Sequence, residues 1–111
     1  MANQLPSCPI ATAIILVGDK WKIQIMRELL RDRPASKHYS DFKHAIPEIS
    51  DKMLSKSLKA LESDHLLKRQ ISTTTPLRST YTLTPMGADL TKVVAALKTW
   101  GTKYKKEFEE K

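Results

Sequence analysis

The 111-residue chain is predicted to be a mainly α protein of the α+β class, and three observations carry that prediction. Apolar residues recur at helical spacing along most of its length. Two short segments after residue 65 alternate apolar and polar instead. Glycine or proline stands at most of the joints. The length is that of one domain, and a domain of this size buries roughly two thirds of its surface without disulfides or metal. Hydrophobic residues make up 41% of the chain but aromatic residues only 6%, so the core is expected to be aliphatic.

Residues 1–7 read as a flexible arm. A first helix starts at Pro9, a residue suited to the first helical position, and ends at Gly18, expected in the C′ place. Between them, Ile10 to Val17 is apolar on every face, which asks for burial on every side. One partner surface in so small a chain does not cover it, and this is a first sign of a dimer. Asp19 is placed to cap a second helix, Lys20 to about Arg31. Its apolar stripe is Trp21, Ile25, Met26, Leu29 and Leu30, while Lys22, Arg27, Glu28 and Arg31 are expected to face solvent. Arg33 followed by Pro34 stops it.

A short extended piece over 36–39 leads into a third helix at 40–45, with Tyr39, Phe42 and Ile46 inward, and Pro47 breaks it. Ser50 caps a fourth helix, Asp51 to about Asp64. Met53, Leu54, Leu58 and Leu61 fall on one face; Asp51, Lys52, Ser55, Lys56 and Lys59 fall on the other. Segments 66–71 and 78–83 alternate as two strands around a polar hairpin tip at 72–77. Thr84 then caps, and Pro85 opens, a last helix. Its stripe of Leu90, Val93, Val94, Leu97, Trp100, Tyr104 and Phe108 exceeds four turns. At 1.5 Å per residue such a helix spans roughly 30 Å and outruns the small domain before it, a second sign of a dimer. Residues 105–111 read as a charged tail that frays, which leaves 8–104 as the folded domain.

The order helix, helix, short strand, helix, tight turn, helix, hairpin, helix is the outline of a winged helix-turn-helix with dimerisation helices at both ends. The outer face of the fourth helix presents Ser50, Lys52, Ser55, Lys56 and Lys59. A DNA major groove admits one α-helix, and small polar and basic side chains on such a face reach base edges and phosphates together. Asp51 has two readings there, as a partner of the helix dipole or as an acceptor from a cytosine amino group. The hairpin tip, with Thr74 and Thr75, is placed to reach the adjoining minor groove or backbone, with Arg78, Lys68 and Arg69 at its base. The formal charge of +7 favours an anionic partner without choosing between nucleic acid and a membrane surface. A lysine-rich helix face is by itself ordinarily just solvated; turn, wing and basic excess together favour DNA binding.

Other classes find little support. There is no Gly-rich phosphate loop, nucleophile elbow or plausible pair of carboxylates, so no enzyme and no cofactor are expected. A single cysteine excludes a disulfide framework and suits a reducing, cytoplasmic compartment. The longest apolar run is too short to span a bilayer, and no signal peptide or membrane partner is read. His38, His44 and His65 match no zinc spacing, and no metal is expected. The surviving alternative to a DNA reader is a winged-helix module that binds protein.

Several motifs stand in a fixed order: Cys8-Pro9; Gly18-Asp-Lys-Trp21; Ile25-Met-Arg-Glu-Leu29; Tyr39-Ser-Asp-Phe42; Ile46-Pro-Glu-Ile-Ser50 with Met53 and Leu54; Leu58-Lys-Ala-Leu-Glu62; Tyr81-Thr-Leu-Thr84 with Gly87; and Trp100-Gly101. In that order and spacing, over about residues 8–101, the chain resembles the HxlR-type regulators, a bacterial winged helix-turn-helix group related in architecture to the MarR-like regulators. It departs from their pattern at Asp19, where a second glycine is common, and at Ser79-Thr80, where a charged residue often precedes the tyrosine strand. The resemblance implies a homodimeric transcription factor, more often a repressor, on a double-stranded DNA operator. Two half-sites about one helical turn apart, roughly 34 Å, make that operator pseudo-palindromic. The first and last helices would form the dimer interface through Ile10, Ile14, Val94, Leu97, Trp100 and Tyr104. The fourth would be the recognition helix, and 72–77 the wing tip.

Cys8 stands at the cap of the first helix, where orphan N–H groups and the helix dipole favour a thiolate. The resemblance implies a sensor of oxidants or small electrophiles at this position. With one cysteine, its chemistry is a Cys8–Cys8 bridge across a dimer, a mixed disulfide, or alkylation. The other reading is a small buried residue at a helix start. Trp21, Trp100 and Tyr104 read as core or interface before they read as a ligand box.

Overall fold

The computed structural model describes residues 5–31, 36–73 and 78–109, and these form six helices and three strands. Pro9 opens α1 (Pro9–Val17), and Asp19 Oδ1 accepts from the backbone N–H groups of Trp21 and Lys22 to open α2 (Lys20–Arg31). β1 (Ser36–His38) leads directly into α3 (Tyr39–Ala45), where the Asp41 carboxylate takes the His38 N–H at 2.8 Å. Ser50 caps α4 (Asp51–Ser63) through its hydroxyl and the Met53 N–H at 3.0 Å. β2 (Leu67–Ile71) and β3 (Ser79–Leu83) follow, then α5 (Pro85–Ala88) and α6 (Thr91–Phe108). The sheet is antiparallel in the order β1-β3-β2, with Lys37 and Arg69 flanking Tyr81 on either side. Among the described residues no helix is long and apolar enough to cross a membrane.

The core is built by the faces that helical periodicity selects. Ile25, Met26 and Leu29 of α2 meet Phe42 of α3 and Leu54, Leu58 and Leu61 of α4, closed by Ile46, Ile49, Leu66, Leu67 and Tyr81. The rings of Phe42 and Tyr81 pack edge to face, with centroids 6.1 Å apart. This packing fixes α4 against α2 and α3 and leaves its opposite face to solvent.

Glu28, expected to face solvent, is only 2% exposed. The expectation fails because its carboxylate is neutralised where it lies: Arg31 donates to it at 2.7 Å, and Arg27 approaches to 3.7 Å. Ser57 is also buried in the inner face of α4. Gly18 ends α1 with right-handed backbone angles, so it is not the left-handed C′ residue expected. A Cβ there would strike the Ile14 carbonyl oxygen, whose bond from the Gly18 N–H is 2.7 Å long.

The left-handed position belongs instead to His65, at φ 66°. The His65 N–H bonds to the Glu62 carbonyl and the Leu66 N–H to the Leu61 carbonyl, a Schellman termination with Leu66 buried alongside Leu61. The strand alternation predicted for 66–71 is also not realised. Past Leu67, β2 is exposed on both faces, Ile71 included, because helices cover only the start of the hairpin.

The single last helix is replaced by two. The Leu90 N–H bonds back to Gly87 and the Val94 N–H bonds to Leu90, so a turn at Asp89 and Leu90 separates α5 from α6. Leu90 packs on the core there, and burial of that side chain turns the chain. α6 then runs through Phe108, beyond residue 105 where fraying was expected. The joint itself is tight. Thr84 Oγ1 donates to the His65 carbonyl at 2.7 Å and accepts from the Gly87 N–H at 3.0 Å, and the Thr84 N–H reaches the Leu66 carbonyl. A Cβ on Gly87 would collide with that same Leu66 oxygen.

Candidate nucleic-acid interface

Phe42 and Ile46 seat α3 on the core; the chain turns at Pro47 and Glu48, and Ile49 returns to the core with its N–H on the Ile46 carbonyl at 3.1 Å. Lys43 Nζ donates to the Ile49 carbonyl at 2.7 Å, which fastens the turn to α3. Ser50 then starts α4 at a set angle. The Tyr39 hydroxyl donates to Asp51 Oδ1 at 3.1 Å and lies 3.4 Å from Ser55 Oγ, while Lys43 stands 3.6 Å from the same carboxylate. Asp51 is thus engaged within the helix-turn-helix, a role that neither sequence reading anticipated, since the link joins residues on two helices.

Ser50, Asp51, Lys52, Ser55, Lys56 and Lys59 are all exposed on one side of α4. From Lys52 to Lys59 this face covers about 10 Å of helix, the depth of one groove crossing. The hairpin stands beside it. The Ser72 N–H bonds to the Arg78 carbonyl at 2.9 Å, and the Arg78 N–H to Ser72 Oγ at 3.0 Å, so the loop base is closed on both sides. Arg78 is exposed. Thr74 and Thr75, the predicted tip contacts, lie outside the described residues. Ser55 and Lys59 of α4, Arg78 and Arg69 of the hairpin line one cleft of about 480 Å³. Ser55 and Lys59 of the helix face and the base of the wing therefore share one concavity, on whose wall Glu62 also stands.

A second surface is apolar. Ile10 is 71%, Ile14 61% and Trp100 66% exposed, and Ile15, Leu97, Tyr104 and Phe108 stand out with them. Trp100 stacks on Tyr104 and Tyr104 meets Phe108 at a tilt along α6, with centroids 5.5 and 4.8 Å apart. α1 is thus not covered within its own chain. Val94 differs from the other predicted interface residues: it is half-buried, in a groove with Ile23 and Leu30 of α2. Trp21 packs on the core, unlike Trp100 and Tyr104. Cys8 is exposed at the N-cap of α1 within its own chain.

His38 faces the Ser79 carbonyl at 3.2 Å, His44 is exposed, and His65 ends α4. Among the described residues no group of three potential metal ligands is gathered.

Comparison with known proteins gives one consistent result. The family described as HxlR-like helix-turn-helix matches residues 16–109. The HTH-type transcriptional regulator YodB of Bacillus subtilis (strain 168) is 35% identical over 98 residues, covering 87% of this chain and 85% of that protein. The uncharacterized HTH-type transcriptional regulator YdeP of the same strain is 31% identical over 104 residues, covering 94% of this chain and 79% of YdeP. Among solved structures, the redox regulator HypR in its reduced form superposes with a TM-score of 0.84 at 26% identity, over 94% of this chain and 100% of HypR.

Proposed function

Because the chain belongs to the HxlR-like helix-turn-helix family, we propose that it is a sequence-specific DNA-binding transcriptional regulator, a homodimeric repressor working in the cytoplasm on a pseudo-palindromic operator. The observation that carries this reading is the exposed row of Ser50, Lys52, Ser55, Lys56 and Lys59 on α4, backed by the core and flanked by the wing. Lysines on that row neutralise phosphates, and the serines and Lys56 reach base edges. A basic recognition face favours this over a module that binds only protein.

The dimer is supported by the apolar surface of α1 and α6. Ile10, Ile14, Leu97, Trp100 and Tyr104 are large apolar side chains left exposed on these two helices, the kind of surface that marks a protein–protein contact. Repression follows if the operator overlaps a promoter, where a bound dimer blocks polymerase.

A thiol response is supported by the exposure of Cys8 two residues from Ile10, at the edge of that surface. HypR has been solved reduced and oxidized, and YodB reduced and diamide-treated. Here two Cys8 thiols, one per protomer, would join Sγ to Sγ and give up two protons and two electrons to an oxidant such as diamide. A quinone or aldehyde would instead be attacked at carbon by the thiolate, the S–C bond forming as the C=C or C=O π bond opens and its electron pair takes up a proton.

Selection of bound duplexes from a random pool, with and without diamide, tests the reading. A pseudo-palindromic consensus is expected, weakened by Lys56→Ala and Ser55→Ala. Recovery of all duplexes alike would refute sequence-specific reading. Loss of the diamide effect in Cys8→Ser, against a clear effect in the native protein, is expected of a thiol sensor.

A further inference from the structure

The exposed face of α4 carries one hydroxyl whose direction is set by the neighbouring helix. Tyr39, at the start of α3, is half-buried, and its hydroxyl stands among oxygens of α4. It lies 3.1 Å from Asp51 Oδ1, 3.2 Å from the Asp51 carbonyl oxygen and 3.4 Å from Ser55 Oγ. The phenol has a single hydrogen. A carboxylate and a backbone carbonyl accept and do not donate, so that hydrogen goes to Asp51, whose Oδ1 also faces Lys43 Nζ at 3.6 Å. The Tyr39 oxygen is left with lone pairs toward Ser55, and between these two hydroxyls Ser55 is the one that donates. The carbonyl four residues back, where a helical serine otherwise turns its hydrogen, is that of Asp51 and already takes the phenol. Ser55 is exposed in the row with Lys52, Lys56 and Lys59. With its hydrogen turned toward Tyr39, it offers a groove lone pairs alone.

We propose that Ser55 is a specificity residue that selects an amino-bearing base, adenine or cytosine, on the strand it faces, and that Tyr39 is the positioning residue that imposes this choice. The inference rests on the reading of the chain as a sequence-specific regulator. In the major groove the adenine N6 and cytosine N4 amino groups donate, whereas guanine O6 and thymine O4 accept. Water leaves the contact when α4 docks, and a keto oxygen set against a serine lone pair then leaves two acceptors without a donor. A serine hydroxyl with no such neighbour turns freely and serves either class of base. The choice therefore belongs to the pair, Tyr39 and Ser55, although only Ser55 meets the base.

Bound duplexes are selected from a random pool by the full-length native protein, by Ser55→Ala, by Tyr39→Phe and by the double variant, each checked for native circular dichroism. The position at which Ser55→Ala loses its preference is the one that Ser55 reads. The native protein should show adenine or cytosine there, favoured by about fivefold over guanine or thymine. Replacing that base by its analogue without the exocyclic amino group should cost the native protein about fivefold in affinity and Ser55→Ala nothing, a test that needs no change at Tyr39. Tyr39→Phe should level the four bases at this position alone, whatever its overall loss of affinity, and should alter no base preference when Ser55 is already alanine. A structural tie without a say in base choice would weaken all duplexes together and leave the preference standing; that result overturns the proposal. So does any other preference at the Ser55 position, or a Ser55→Ala variant that loses none, and in each of these cases a native consensus leaves the regulator reading intact. A native protein that recovers all duplexes alike overturns both.

Discussion

The Tyr39 hydroxyl on the first turn of α3 donates to the Asp51 carboxylate on the first turn of α4 at 3.1 Å. The two helices of the helix-turn-helix are tied at their N-terminal ends, on the solvent side of the core to which Phe42 and Leu54 belong. Tyr39→Phe keeps the ring and removes the tie. Hydrogen bonds to charged groups contribute about 1.5 kcal/mol or more when shielded, and this one is exposed, so a loss of about 0.5–1 kcal/mol is expected by urea unfolding. Duplex affinity should fall with it, since the angle of α4 is less well held.

Glu28 is a buried carboxylate whose Arg31 partner lies largely in water, with side-chain exposures of 3% and 62%. Glu28→Ala leaves a gap and removes the acceptor, at an expected cost of about 2 kcal/mol. Glu28→Gln keeps the shape and one acceptor oxygen and should cost less than half as much. A Glu28→Gln midpoint equal to that of the native chain would refute a role for the ion pair.

His65 occupies a left-handed position that glycine adopts without strain. His65→Gly is expected to raise stability by about 0.5–1 kcal/mol, the relief of strain exceeding the added freedom of the unfolded chain. A β-branched replacement such as His65→Val should lower the midpoint. DNA binding should be unchanged by the glycine variant.

Leu97→Glu places a charge in the apolar face that α6 exposes beside Ile10 and Ile14. If the proposed dimer forms through this face, the variant should sediment as a monomer where the native chain sediments as a dimer, with operator affinity falling by at least tenfold. Its far-ultraviolet circular dichroism should stay native, because Leu97 is half exposed within its own chain.

Much of this was written into local sequence. The faces of α2, α3 and α4 follow the 3.6-residue period, and Asp19, Ser50 and Thr84 mark the starts of α2, α4 and α5 as side-chain caps. The row of serine and lysine on α4 is legible because it is the complement of the buried face. What escaped depends on contacts made at a distance. Glu28 reads as solvent-facing until Arg31 closes over it. The break before α6 has no glycine or proline at Asp89 or Leu90 to announce it, and it comes from Leu90 packing on the core. The cleft joins Lys59, Arg69 and Arg78, whose convergence is made by the pairing of β2 with β3 against α4 and by no local pattern.

The joint at Thr84 binds the C-terminal half of the molecule to the very peptides that terminate α4, His65 and Leu66. In the proposed dimer, α6 sets where the twofold axis lies and α4 sets where each half-site is read. Their relative position is then set in part at this joint, where Gly87 sits flush against the Leu66 carbonyl, and in part where Val94 meets Ile23 and Leu30 of α2. The molecule behaves as a pair of calipers with this joint as one of its two bearings. A side chain larger than hydrogen at Gly87 should change which half-site spacing is preferred, without touching a residue that meets DNA.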